Sequence, residues 1–214
     1  MPYEMYLKKE LKQDNMNIAI LASGNGSNFE AIVKAVKRGY IKASIKALIT
    51  DKHDAFVRER AKRNSIKDIF IDPAKFKSRI AFDREIVRIL KAEKVNLVVL
   101  AGFMRILSID FVKKFRSHIL NIHPALLPAF RGENAIAKAL EYGCKITGVT
   151  VHFIDEKVDN GPVILQEAVR IKKGETLKNL EERIHKLEHK LYPLAIKLFT
   201  ENRLKIKNRN VEII

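Results

Sequence analysis

The chain has 214 residues, 47% hydrophobic and 31% charged, which suits one sizeable domain with a buried core and excludes a disordered or fibrous chain. Lys and Arg total 41 against 25 Asp and Glu, a formal net charge of +16 that favours anionic partners without choosing between nucleic acid and a small phosphorylated or carboxylated metabolite. A single cysteine, Cys144, excludes an intrachain disulfide or a cysteine-built metal cluster and fits a reducing compartment, so a cytoplasmic location is expected.

Residues 1–15 mix Glu4, Lys8, Lys9, Glu10, Lys12 and Asp14 with few apolar side chains; they read as a flexible extension and not as a signal peptide. From there strand and helix signals alternate. A strand at 18–21 runs into Ser23-Gly24-Asn25-Gly26-Ser27-Asn28, and Phe29, Ile32, Val33 and Val36 then recur at helical spacing until Gly39. Strands are predicted at 45–49 and 66–71, and helices at 55–63 and 79–91. The wholly apolar run 97–101 suits a central strand buried on both faces of a parallel sheet. Ser108 caps a short helix to 114, a strand follows at 118–122, and a helix covers 134–141. Two long β-rich runs, 147–154 and 162–171, flank the acidic turn 155–161, whose composition suits an antiparallel return. Thr176 caps a long helix reaching about residue 199, and residues 204–214 form a tail that can pair as a hairpin. The expected architecture is a Rossmann-like α/β domain over 16–203, mainly parallel, with late antiparallel strands and helices on both faces. No run approaches the length of a membrane span, and no basic block is interleaved with aromatics, so neither membrane nor nucleic acid is an expected partner.

Three places carry chemistry. In Leu120-Asn121-Ile122-His123-Pro124, alternate side chains of a strand share a face, so Asn121 and His123 point the same way where Pro124 ends the ladder. A carboxamide donor beside a protonatable imidazole suits a developing oxyanion and proton movement near neutral pH. Gly24 and Gly26 let backbone approach a ligand ahead of a helix start, a setting for phosphate. A dinucleotide reading lacks its third glycine, since that position is Phe29, although Asp51 ends the second strand where a ribose-binding acid would stand. Asp159 lies in the acidic turn, within reach of His123 if the turn folds back. His152 reads as a half-buried histidine with a backbone partner. His185-Lys186-Leu187-Glu188-His189 matches the inverted zinc-peptidase pattern, a rival reading as a zinc-dependent hydrolase that lacks a third ligand.

Four segments, the 23–28 turn, Leu100-Ala101-Gly102-Phe103-Met104-Arg105-Ile106-Leu107, Asn121-Ile122-His123-Pro124-Ala125-Leu126-Leu127-Pro128 and the stretch from Val151 to Pro162, together strongly resemble the phosphoribosylglycinamide formyltransferases, in their order and spacing. The resemblance implies a purine-biosynthetic enzyme that moves a formyl group from 10-formyltetrahydrofolate to glycinamide ribonucleotide, without a metal, as a monomer or homodimer. It assigns His123 as the catalytic acid, Asn121 as its fellow donor and Asp159 as the carboxylate that supports the imidazolium. The ribonucleotide falls to Gly26, Ser27, Asn28, Phe29, Glu30, His185 and Glu188. The folate falls to Arg79, Met104, Arg105, Ile106, Leu107, Asn121 and the turn residues Asp155, Glu156, Lys157, Val158 and Asp159. The chain departs from the pattern at Arg131-Gly132-Glu133-Asn134, where many relatives carry Pro-Gly-x-His, and at His185, where Gln is common. Relatives that hydrolyse formyltetrahydrofolate carry a regulatory domain before this core, and those acting on methionyl-tRNA an added domain after it; neither is expected in 214 residues.

Overall fold

A computed structural model describes residues 16–214; the expected extension at 1–15 lies outside the described residues. The alternating signals resolve as β1 (Met16–Leu21), α1 (Ser27–Lys37), β2 (Ala43–Thr50), α2 (Phe56–Arg63), β3 (Asp68–Phe70), α3 (Arg79–Ala92), β4 (Leu97–Leu100), α4 (Ile109–Lys114), β5 (Ile119–His123), α5 (Ala135–Glu141), β6 (Ile146–Phe153), β7 (Val163–Arg170), α6 (Leu177–Thr200), β8 (Leu204–Lys207) and β9 (Asn210–Ile213). Seven strands form one sheet in the order β3-β2-β1-β4-β5-β6-β7. The first five run parallel, and β6 and β7 return antiparallel. This is the Rossmann-like, mainly parallel α/β fold the pattern implied.

Burial explains the strand composition. Along β1, Ile18 and Ile20 enter one core with α1, α2 and α6, while Ala19 and Leu21 enter the other with α3 and α4. A strand covered on both faces keeps no polar alternation, and each fully buried Ile or Leu contributes about 1.5–3 kcal/mol. The predicted third strand was longer than the observed one. Only Asp68–Phe70 pair in register with β2, at the sheet edge and with half-buried side chains, while Lys67 O and Ile71 N each make one flanking bond to β2, to Leu48 N and Thr50 O. The caps read from sequence are present: Ser108 Oγ accepts from Phe111 N and Thr176 Oγ1 from Asn179 N.

Strand order reverses between β1 and β4, so their carboxyl ends diverge into a crevice, the usual ligand position in such sheets. Ser23 N donates to Gly102 O across it at 3.0 Å. Beneath lies Tyr192 of α6, fully buried, its hydroxyl within 2.8 and 2.9 Å of the Leu100 and Leu120 carbonyls. That contact fixes the ends of β4 and β5, the strands that carry the site, and burial pushes the phenol well above its ordinary value. The terminal residues pair as β8 and β9. Leu204 and Val211 pack on the main core, and Arg209 donates to the Asn160 carbonyl at 2.6 Å, bracing the acidic turn.

Candidate active site

The phosphate turn is built by close approach. Gly26 caps α1 in left-handed backbone (φ 76°) with no side-chain cap, which leaves the first-turn N-H groups of Ser27, Asn28 and Phe29 without intrahelical partners. They gather at the positive end of the helix dipole and can bind an anion. Glu30 differs: its N-H already donates to Gly26 O, and its carboxylate faces Arg60 and Lys34. A Cβ on Gly26 would stand 2.4 Å from Val57 Cγ2 at the start of α2. Gly26→Ala should therefore lose about 2–5 kcal/mol, from left-handed strain plus overpacking, read as a lowered midpoint in denaturant unfolding.

Helix α6 closes the other side of this turn. Asn28 Nδ2 donates to Glu188 Oε2 at 2.9 Å, and His185 Nδ1 lies 3.0 Å from the same oxygen. Glu188 is buried, and its hydrogen bond pushes His185 above the usual histidine value; burial pushes His189 down. Asn28 Oδ1 and His189 Nε2 are buried without a hydrogen-bond partner among the described residues. The rival zinc reading has no ligand set here, because no group of three metal-capable side chains assembles among the described residues.

The Asn121, His123 and Asp159 side chains meet at the carboxyl end of β5. His123 Nδ1 lies 3.3 Å from Asp159 Oδ2, which also accepts from Gly132 N at 2.8 Å. Asn121 Nδ2 lies 3.4 Å from Asp159 Oδ1. His123 and Asp159 are buried, where electrostatic interactions are stronger than in water. His123 Nε2 is 2.8 Å from the Phe130 carbonyl, so both ring nitrogens face acceptors and both contacts become hydrogen bonds when the ring carries two protons. Asp159 and Phe130 both hold positive φ, 46° and 49°. Backbone strain of this kind persists where surrounding contacts over-determine it.

The remaining predicted positions border this cluster. Met104 and Ile106 are exposed apolar side chains at 65% and 59%, while Phe103 and Leu107 pack downward into the α3 and α4 core. Two outward apolar groups after a central strand suit a flat, apolar ring face. The Arg105 guanidinium lies over Phe82, 4.8 Å from the ring centre, and faces Asp51. Arg79 is exposed at the first residue of α3. In the acidic turn, Glu156, Lys157 and Val158 are exposed, but the Asp155 carboxylate accepts from Lys157 N and Asn160 Nδ2 and so organises the turn itself. Gly161 anchors its end, since a Cβ there would sit 1.8 Å from Phe153 O. Asn134 is exposed and caps α5 in left-handed backbone, with no side-chain cap.

The formyl transferase family matches residues 16–196. The chain belongs to this family. It is 45% identical over 179 residues to the phosphoribosylglycinamide formyltransferase of Bacillus subtilis (strain 168), covering 84% of this chain and 92% of that one. The enzyme of the same name from Escherichia coli (strain K12) is 43% identical over 191 residues, 89% of this chain and 90% of that one. The crystal structure of glycinamide ribonucleotide transformylase 1 from Symbiobacterium toebii superposes with a TM-score of 0.91 at 45% identity, covering 93% of this chain and 94% of that one.

Sequence reasoning underrated His152. It is fully buried, and Nδ1 does bond a backbone carbonyl, that of Phe153, but the other nitrogen faces Asn121 Nδ2 at 3.2 Å. Burial pushes His152 below the usual histidine value, so it stays neutral, with Nε2 bare to accept the Asn121 amide. The signal was in the antiparallel register, which sets Asn121 opposite His152 and His123 opposite Thr150. Thr150 was missed as well; its hydroxyl donates to Ala125 O at 2.7 Å and accepts from Leu127 N, tying down the loop after His123.

Proposed function

We propose that this chain transfers the formyl group of 10-formyltetrahydrofolate to the amine of glycinamide ribonucleotide, a step of purine biosynthesis. The observation that carries the reading is the convergence of the Asn121 amide, the His123 imidazole and the Asp159 carboxylate at the sheet's carboxyl end, beside a helix start that can take phosphate. The names of the similar proteins support the substrates. Membership of the family supports a formyl-folate donor.

The residues divide the work. Ser27, Asn28 and Phe29 N-H groups bind the phosphate, and buried Glu188 suits a ribose hydroxyl or the substrate amine. Met104 and Ile106 offer apolar cover to the folate ring, with the backbone of 104–107 supplying directed polar contacts. When the amine attacks the formyl carbon, negative charge gathers on the formyl oxygen, and Asn121 N-H and protonated His123 donate to it. Each donor exchanges a protein acceptor for the oxyanion: Asn121 releases Asp159 or His152, and His123 Nε2 releases the Phe130 carbonyl. Asp159 stays behind His123 as its counter-charge. The C-N bond to the folate nitrogen then breaks, and the proton lost by the amine reaches that nitrogen through the imidazole or a water.

His185 gives ribonucleotide binding a pH dependence. Its value is raised by the hydrogen bond to Glu188, so it keeps its positive charge to a higher pH than an ordinary histidine and loses that charge as pH climbs through the raised value. The KM for the ribonucleotide should therefore rise on the alkaline side, and His185→Gln should flatten the profile; an unaltered slope would contradict the assignment. We place the enzyme in the cytoplasm, with small-molecule partners, as a monomer or homodimer; among the described residues no helix is long and apolar enough to cross a membrane. The decisive test of the reaction supplies formyl-labelled 10-formyltetrahydrofolate and follows the label. It should appear on the ribonucleotide amine, whereas label released as formate would refute transfer.

A further inference from the structure

We infer that Asp51 is a positioning residue for folate: it hooks the folate-facing segment after β4 to the start of the phosphate turn and holds Arg105 out of the cleft. The inference rests on the proposed function for what the 104–107 segment binds. Asp51 directly follows β2 and is 4% exposed, the position where a dinucleotide-binding fold would use an acid on ribose. Its side chain is spent inside the protein. Asp51 Oδ1 accepts the Ser23 hydroxyl at 2.6 Å, and Ser23 Oγ accepts Met104 N-H at 3.0 Å. Ser23 N donates to Gly102 O at 3.0 Å, so one serine bonds both ends of the 102–104 step. Asp51 Oδ2 lies 3.9 Å from Arg105 Nη1.

A neutral acceptor would satisfy Ser23 alone. Burying a carboxylate costs desolvation that is repaid only by bonding and by opposite charge, and that charge here is Arg105. The pairing works in both directions. Arg105 is one residue from Met104 and one from Ile106, and its side chain stays 34% exposed, with Nε buried and without a partner among the described residues. Asp51 keeps that guanidinium turned down onto Phe82, so Met104 and Ile106 present an apolar face free of a competing cation. Ser23 is also tied to Gly102 through its backbone N-H, a bond that does not involve Asp51, so the phosphate turn keeps an anchor of its own.

The test uses the full chain and two readouts. Asp51→Asn keeps size and an acceptor for Ser23 but removes the charge; Asp51→Ala removes both. Asp51→Ala should raise the KM for 10-formyltetrahydrofolate about ten-fold or more, the worth of one charge-assisted hydrogen bond, while kcat and the ribonucleotide KM stay within about three-fold. The Kd of tetrahydrofolate, titrated by calorimetry without ribonucleotide, should rise in parallel. Asp51→Asn should show a smaller shift in the same direction, and it carries the test if the Ala variant does not fold. Adding Arg105→Ala to Asp51→Ala should bring less than the sum of the single effects. A lowered Tm with unchanged folate KM and Kd would make Asp51 merely structural and overturn the inference, as would a fall in kcat alone or strict additivity with Arg105. A wild-type protein that binds tetrahydrofolate but transfers no formyl group would overturn the proposed reaction while leaving the Kd comparison to judge Asp51. Wild type that does neither would overturn both.

Discussion

His123→Ala should turn over at least about a hundred- to a thousand-fold more slowly than wild type, with KM for both substrates changed far less. The ring is buried and anchored at Nδ1 by Asp159, so its position is fixed before substrate arrives and only its Nε2 contact passes from the Phe130 carbonyl to the formyl oxygen. A donor held this way costs little reorganisation when the formyl oxygen gains charge, and its interaction is strongest in the transition state. Truncation removes that donor and leaves the Asp159 carboxylate without its cation. Steady-state kinetics at saturating substrates read the effect. A kcat within about ten-fold of wild type would mean that His123 does not carry the proton or the oxyanion contact.

Asp159→Asn should cost about a hundred-fold in kcat, more than the loss of an ordinary polar contact. The substitution is selective because residue 159 holds φ 46°, a conformation Asn tolerates better than most residues, so the backbone of the turn is kept. What changes is the side chain's bonding. One Asp159 oxygen meets His123 Nδ1 and Gly132 N-H, the other accepts from Asn121 Nδ2. An amide has one acceptor end only, so its NH2 must face either the Gly132 N-H or the Asn121 amide, donor against donor. The counter-charge for the imidazolium is lost at the same time. Circular dichroism and Tm near wild type, together with the fall in kcat, separate this loss from unfolding. A rate equal to wild type would reduce the acidic turn to a connector.

Much of this site could be read from local pattern because the physics there is local. Two residues two apart on a strand share a face, a proline ends a ladder, and a glycine turn before a helix exposes N-H groups; each is visible within ten residues of chain. Partners that meet only after folding were not legible in the same way. Asn28 and Glu188 are 160 positions apart, and Asn121 and His152 are 31 apart. Nothing in the spacing of either shows the meeting until the sheet order and register are known. Arg105 shows the same limit at one position: the resemblance places it among the folate residues, and only the fold shows its guanidinium turned to Asp51 and Phe82. The short β3 is the converse case, where local apolar content overstated a strand that has a partner on one side only.

The central claim is that the site moves a formyl group onto an acceptor amine and does not merely release it to water. The most direct measurement is the initial rate at which tetrahydrofolate appears from 10-formyltetrahydrofolate, taken with and without glycinamide ribonucleotide at matched enzyme concentration. Tetrahydrofolate and formylated ribonucleotide should form in equal amounts when both substrates are present, with a rate at background when the ribonucleotide is left out. Tetrahydrofolate appearing at the same rate without the ribonucleotide would contradict it.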